Sequence, residues 1–104
     1  MSKMVTITKK DVAKRTAKAV GERIYITEKI VDGVFTALRE FMAEADPEVR
    51  IEIRDFGVFE VKKTKPKPKA RNPKTGEIIY VPARRKTHFK AGKFLKLLLT
   101  ISRL

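Results

Sequence analysis

Apolar positions along this chain follow two periods, and the switch between them sets its organisation. From Thr8 the period is helical: Val12, Ala13, Thr16, Ala17 and Val20 recur at three and four residues as a narrow stripe of small side chains. Thr8 with Asp11 three residues on resembles a capping box, and Gly21 is a stop. A second helix is expected with Thr27 as its cap and Glu28 in its first turn. Ile30, Val31, Val34, Phe35, Leu38, Phe41 and Met42 give it a strong amphipathic face as far as about Ala45, where Asp46-Pro47 ends it. The two helices form a hairpin over about 8–45, and the small side chains of the first suit close approach to the second.

From Val49 the period falls to two. Val49, Ile51 and Ile53 point one way and Arg50, Glu52 and Arg54 the other, which predicts a half-buried strand. Asp55-Phe56-Gly57 reads as a tight turn into a second strand beginning Val58-Phe59-Glu60-Val61. That strand is expected to run on through Lys63, Lys65, Lys67 and Lys69, which share one face if the limb is extended. Pro66 and Pro68 fall on the other face and confine the limb to an edge or ribbon, because proline cannot donate to a ladder. Glu77 to Val81 returns as its partner until Pro82, and Thr87 to Lys90 reads as a short final strand. Ala91 to about Arg103 is helical and apolar on more than one face, so burial on more than one side is expected. The fold class is therefore α+β: helical hairpin, sheet and arm over about 49–90, and a last helix over about 91–103, in one domain.

Charge changes the picture most between Lys62 and Lys90. This stretch holds eleven Lys or Arg against the single acid Glu77, and so carries ten of the chain's thirteen net positive charges. The rest is nearly balanced. Charge this localised is an electrostatic footprint for a polyanion. With the arm set aside, about 75 residues remain for a core, which is marginal alone. No cysteine is present to reinforce it. Oligomerisation is the remaining route. The chain has no apolar run of transmembrane length, and its first lysines are not followed by a signal-type apolar stretch.

Catalysis has little to work with. His88 is the one histidine and has no second ligand at metal-like spacing. No serine sits in a glycine elbow, and the five glycines are scattered rather than gathered in a phosphate-cradling loop. Asp11, Glu22, Glu28, Asp32, Glu40 and Glu44 read as a solvated helix face. No enzyme activity, metal, cofactor or small-molecule substrate is expected. Binding is better supplied. Lys and Arg at phosphates release counterions, and a two-stranded ribbon fits a DNA groove. A proline at the ribbon tip is a rigid wedge that can kink a duplex.

Four pieces of the chain together resemble the bacterial HU/IHF histone-like family. They are Ile53-Arg54-Asp55-Phe56-Gly57-Val58-Phe59-Glu60-Val61, Ala70-Arg71-Asn72-Pro73-Lys74-Thr75-Gly76-Glu77, Pro82-Ala83, and Phe89-Lys90-Ala91-Gly92-Lys93. The resemblance implies an intertwined dimer with a helical base, an antiparallel β saddle and two β-ribbon arms around DNA. It implies that Pro73 is the intercalating tip residue and that Arg71 and Asn72 lie in the minor groove. It places Phe56, Phe59 and Phe89, with Ile51 and Ile53, in the shared dimer core, and Lys93 near a phosphate. The expected DNA-contacting set is Lys63, Lys65, Lys67, Lys69, Arg71, Asn72, Pro73, Lys74, Arg84, Arg85, Lys86, Lys90 and Lys93. A homodimer is expected, with a heterodimer open, in the cytoplasm and associated with the nucleoid. The chain departs from the family's pattern in a longer helical connection, Gly21 to Ile26, in the Lys-Pro-Lys-Pro-Lys limb, in Ala91 where the family commonly has proline, and in extensions at both ends.

The main reading is a protein that bends and compacts double-stranded DNA with low sequence specificity. Beside it stand a site-preferring, IHF-like factor, an RNA-binding basic protein and a membrane-surface polycation. The arm offers only Tyr80 as a stacking platform, which weakens the RNA reading. Ile78 and Ile79 are few anchors for a membrane.

Overall fold

The computed structural model describes residues 4–101. In order, the elements are α1 (Lys9–Val20), α2 (Ile24–Ala43), β1 (Val49–Ile53), β2 (Gly57–Lys63), β3 (Lys67–Arg71), β4 (Ile78–Val81), β5 (Arg85–Ala91) and α3 (Lys93–Thr100). The chain divides into two compact units, Met1–Phe41 and Met42–Leu104.

In the first unit, α1 starts and stops where its sequence directs. Thr8 is the N-cap, and a full capping box closes between Thr8 and Asp11: the Thr8 amide donates to Asp11 Oδ2 at 2.9 Å. These bonds to Thr8 hold the Asp11 carboxyl below the usual aspartate range. Gly21 ends the helix with φ of 70°, in the left-handed region that glycine enters without a Cβ penalty. The start of α2 differs from expectation. Thr27 is not its cap but a buried residue one turn inside it. Its amide and its hydroxyl both bond to the Arg23 carbonyl, at 3.0 and 2.9 Å. Thr therefore satisfies itself within the helix, and a Ser/Thr signal that reads as a cap is here a back-bond to residue i−4. The link between the helices shrinks to Gly21-Glu22-Arg23. Ala13, Ala17, Thr27 and Val31 are the buried positions of this unit, and Lys9 pairs with Asp32 across the two helices.

The second unit contains a three-stranded antiparallel sheet in the order β1-β2-β5 and a separate two-stranded ribbon, β3-β4. The register pairs Ile51 with Phe59 and Phe59 with Phe89 on one face, and Arg50 with Glu60 and Glu60 with His88 on the other. Asp55, at φ 62°, and Phe56 turn the chain between β1 and β2. Gly57 is required by close approach: a Cβ there would run into the Lys90 carbonyl oxygen and the Phe89 ring.

Three expectations for this unit change. The lysine limb is not one strand. It breaks at residues 64–66 and resumes as β3, with a register shift between Lys67 and Ala70. The extra residue ends strict alternation, so the four lysines are not presented as one regular face; Pro66 and Pro68, which cannot donate to a ladder, account for the break and the bulge. The final strand is longer than Thr87 to Lys90, because β5 pairs with β2 along all seven of its residues. The last helix is shorter, from Lys93 to Thr100. Gly92 takes extended geometry as its N-cap, and Ile101 is extended at its other end. The remainder of the expected helix and of the lead-in lies outside the described residues.

Burial within one chain is thin. Ala13, Ala17, Val31, Ala45 and Val61 are the buried apolar residues among those described. No side chain of α3 is buried within the single chain. Phe94, Leu97, Leu98 and Leu99 are exposed, as are Phe56 and Phe89.

Candidate nucleic-acid interface

The arm is built from its tip. Asn72 and Glu77 close the turn, with the Asn72 amide donating to the Glu77 carbonyl at 2.7 Å and the Gly76 amide to the Asn72 carbonyl at 2.7 Å. Inside it the Asn72 side chain accepts from the Lys74 amide at 2.9 Å, an Asx turn. Gly76 supplies the positive φ of 74° that the return needs. Pro73 sits within this frame, exposed at the end of the ribbon. It has no amide to leave unpaired there. Arg71 Nη1 reaches back to the Gly76 carbonyl at 3.3 Å, so the guanidinium lies beside the tip.

Down the ribbon, Lys67, Lys69 and Arg71 are on β3, while Lys65 and Arg84 lie in the two breaks that separate ribbon from sheet. Lys63 ends β2; Arg85, Lys86 and Lys90 lie along β5; Lys93 opens α3. All of these cations, and Lys74 at the tip, are exposed. At the root of the arm Thr64 ties the two limbs together. Its amide donates to the Arg84 carbonyl at 2.7 Å, and its hydroxyl bonds to the Arg84 carbonyl and amide at 3.0 and 3.1 Å. Sequence reasoning missed Thr64; the signal available was a lone β-branched hydroxyl where both limbs approach a proline.

On the sheet, strand alternation gathers Arg50, Lys62, Lys86, His88 and Lys90 on one face around Glu60. Glu60 is buried, with Lys90 Nζ at 3.2 Å, Arg50 Nη1 at 3.6 Å and Lys62 Nζ at 3.9 Å. The contact at Oε1 has the distance of an ion pair but not the direction of a hydrogen bond. The Lys90 ammonium is the main cause that holds this carboxyl below the usual glutamate range; partial desolvation opposes it, and the charges of Lys62, Lys90 and Arg50 reinforce it. Glu60 was not singled out from sequence, because which cations surround it depends on strand register.

Arg85 behaves differently from its neighbours. Its Nη1 donates to the carbonyls of Ala43 and Ala45, at 2.8 and 2.7 Å. Those are the carbonyl of the last α2 residue and that of Ala45, two residues beyond it, which a cation satisfies well. Part of its hydrogen-bonding capacity is thus committed inside the protein. On the opposite face the rings of Phe56, Phe59 and Phe89 cluster, with centroids 6.4 Å apart for Phe56–Phe59, 5.3 Å for Phe56–Phe89 and 4.8 Å for Phe59–Phe89. Ile51 is half-buried and Ile53 exposed beside this face. Among the described residues no three His, Cys, Asp or Glu side chains gather as a metal site, and no helix is long and apolar enough to cross a membrane.

Comparison with known proteins bears on this geometry. A family model described as "Bacterial DNA-binding protein" matches residues 7–100. Integration host factor subunit alpha of Bordetella avium is 38% identical over 91 residues, which are 88% of this chain and 75% of that protein. The subunit alpha of Ralstonia nicotianae is 36% identical over 95 residues, 91% of this chain and 88% of that protein. Integration host factor subunit beta of Cupriavidus metallidurans is 46% identical over 66 residues, 64% of this chain and 46% of that protein. Among solved structures, the Anabaena HU–DNA cocrystal structure aligns with a TM-score of 0.77 over 90% of this chain and 98% of that one, at 23% identity, and so shares the fold. Since the family match runs from the residue before the α1 cap to the last residue of α3 and takes in the whole arm, the chain belongs to the bacterial HU/IHF family of DNA-binding proteins.

Proposed function

We propose that this DNA-binding protein is architectural in its mode of action: two copies grip duplex DNA with their ribbons, and the tip prolines kink it. The observation that carries the reading is the arm itself. A ribbon of exposed cations with one acid ends in a rigid turn that projects Pro73, an arrangement that contributes nothing to a core in its own chain. Lys63, Lys65, Lys67, Lys69, Lys74, Arg84, Lys86 and Lys90 supply phosphate attraction, largely independent of sequence. Arg71 and Asn72 flank the wedge, where a narrow minor groove favours an arginine. Lys93 stands at the first turn of α3, whose N-cap has no side-chain partner and whose first turn has no acid; a DNA phosphate there satisfies both the free amides and the lysine.

A dimer is part of this reading. The half-open phenylalanine cluster and the bare apolar side chains of α3 are surfaces that a second copy would cover, with Ile51, Ile53, Phe56, Phe59 and Phe89 at the shared core. The relatives named as alpha and beta subunits favour a heterodimer as the second form to test. Low sequence specificity follows if readout rests on deformability rather than on base edges. Action on DNA would place the protein with the nucleoid in the cytoplasm, and no catalytic role is assigned.

The test is end-to-end FRET on a short labelled duplex at saturating protein. Pro73→Ala keeps every charge, so binding to linear DNA should persist while the shortening of the duplex falls and the preference for nicked or prebent DNA declines. Equal shortening by both proteins would leave Pro73 as a turn former and assign bending to charge neutralisation along the flanks.

A further inference from the structure

The arm root holds a feature that duplex gripping does not require. Both limbs lose their pairing at the same level, over residues 64–66 on one side and 82–84 on the other. The Thr64–Arg84 hydrogen bonds keep them from separating. Between them opens a cavity of about 320 Å³ lined by Thr64, Lys65, Lys67, Ala70, Val81, Arg84 and Lys86. Four of those seven residues are cations and none is an acid. Among the described residues, none of the four side chains is in an ion pair, whereas Arg50, Lys62 and Lys90 on the neighbouring sheet all share Glu60. Four like charges around one concavity repel one another, and an anion bound among them lowers that cost. A concavity of this size also suits a small ligand, whereas a flat cationic strip suits a backbone that slides along it.

We infer that this notch is a binding site for a free linear oligophosphate, an anion with several adjacent phosphate groups. This goes beyond the proposed duplex binding, since the ligand is small and is held without base pairs or bending. Lys65 and Lys67 approach it from one limb and Arg84 and Lys86 from the other. One phosphate per limb, joined through a bridging oxygen, is then the minimum that engages both sides. Arg84 offers a planar fork to phosphate oxygens and the lysines offer point charges. Occupancy would tie the limbs together at the point where the ribbon leaves the sheet, and would compete with DNA phosphates for the same cations.

Inorganic tripolyphosphate is the probe, titrated into the full chain by calorimetry at about 0.15 M salt, where diffuse attraction is screened beyond roughly 8 Å. Backbone amide NMR shifts are followed in parallel. The expected result is one saturable site per chain, with shifts concentrated at Thr64, Lys65, Arg84 and Lys86. Lys65→Gln/Arg84→Gln should weaken binding by about tenfold or more, as loss of charge-assisted contacts implies. Lys10→Gln/Lys14→Gln removes the same charge from α1 and should bind as the unmodified protein does. Lys67→Gln/Lys86→Gln is the second variant should the first fold poorly; it removes the same charge from the other two cations of the notch. Equal weakening by the arm-root and α1 variants would reduce the effect to general attraction and overturn the site. Absence of saturable binding while the protein still bends labelled duplex would also overturn it and leave the DNA reading intact. So would weakened duplex binding by the arm-root variants without any tripolyphosphate site, which would assign the notch to the DNA backbone alone.

Discussion

The ribbon β3-β4 continues two of the three strands of the sheet β1-β2-β5, yet the two are held by different forces. In the sheet, ladder bonds are backed on one face by packed phenylalanines and on the other by a carboxylate that three cations share. In the ribbon, ladder bonds and a rigid tip turn stand almost alone. A short two-stranded ribbon is marginal in water without a packed face, and this one exposes Ile78, Ile79 and Tyr80 among its cations. The lesson is a division of labour. The packed phenylalanines and the Glu60 cluster belong to the sheet alone, whereas exposed cations run from the ribbon down onto β5.

The largest expected effect lies in the sheet. Phe59→Ala should cost about 3–5 kcal/mol per buried ring and abolish the dimer. Denaturant unfolding and sedimentation at micromolar concentration check this. A folded, stable monomer, of the unmodified chain or of the variant, would break the claim that the cluster is completed by a second copy.

A sharper test uses two neighbours on β5. Arg85→Gln removes charge-assisted bonds to Ala43 and Ala45 and should cost about 1–3 kcal/mol of stability. Lys86→Gln, one residue on, should change stability by no more than about 0.5 kcal/mol and should lower the salt dependence of DNA binding. If Arg85→Gln instead leaves the melting temperature unchanged and flattens the salt slope, Arg85 belongs with the arm.

In the ribbon and its root, the effect should move from stability to binding. If about eight phosphates are neutralised per dimer, log K should fall with log salt with a slope near −7. Replacing Lys63, Lys65, Lys67 and Lys69 with Gln should flatten that slope markedly while the unfolding midpoint stays nearly fixed. Affinity that barely responds to salt in the unmodified protein would remove the phosphate-driven part of the comparison.

The smallest effect is a pH dependence at Glu60. Its folded pKa is lowered, so its contribution is present above the ordinary glutamate value of 4.5 and is lost as pH falls through the lower folded value. Unmodified protein should therefore melt above Glu60→Gln at neutral pH, and the two should converge in acid. A constant gap across that range would mean that the carboxylate's charge is not what stabilises the face.

Much of this was legible in the residues. Thr8, Asp11 and Gly21 bounded α1 because capping is local chemistry, satisfied within three or four residues. The alternation of Val49 to Ile53 and the Asn72-Pro73-Lys74-Thr75-Gly76 turn were legible for the same reason. The start of α2 was not, because a threonine hydroxyl serves equally as a cap acceptor or as a donor to the preceding turn. The lysine limb is not one strand because its prolines do more than confine it to an edge: without amides they also interrupt the ladder, and the register shifts.

The sequence by itself determined the order of elements, the turn at the arm tip, the localisation of charge and the family. Each rests on interactions between near neighbours or on simple counting. Only the tertiary structure decided which cations act together. Register set Arg50, Lys62 and Lys90 around Glu60, turned Arg85 to the end of α2 instead, and brought Lys65 and Lys67 opposite Arg84 and Lys86 around one cavity. Residues about 20 to 40 positions apart meet there because antiparallel pairing fixes them opposite one another, and a single inserted residue is enough to change which of them meet.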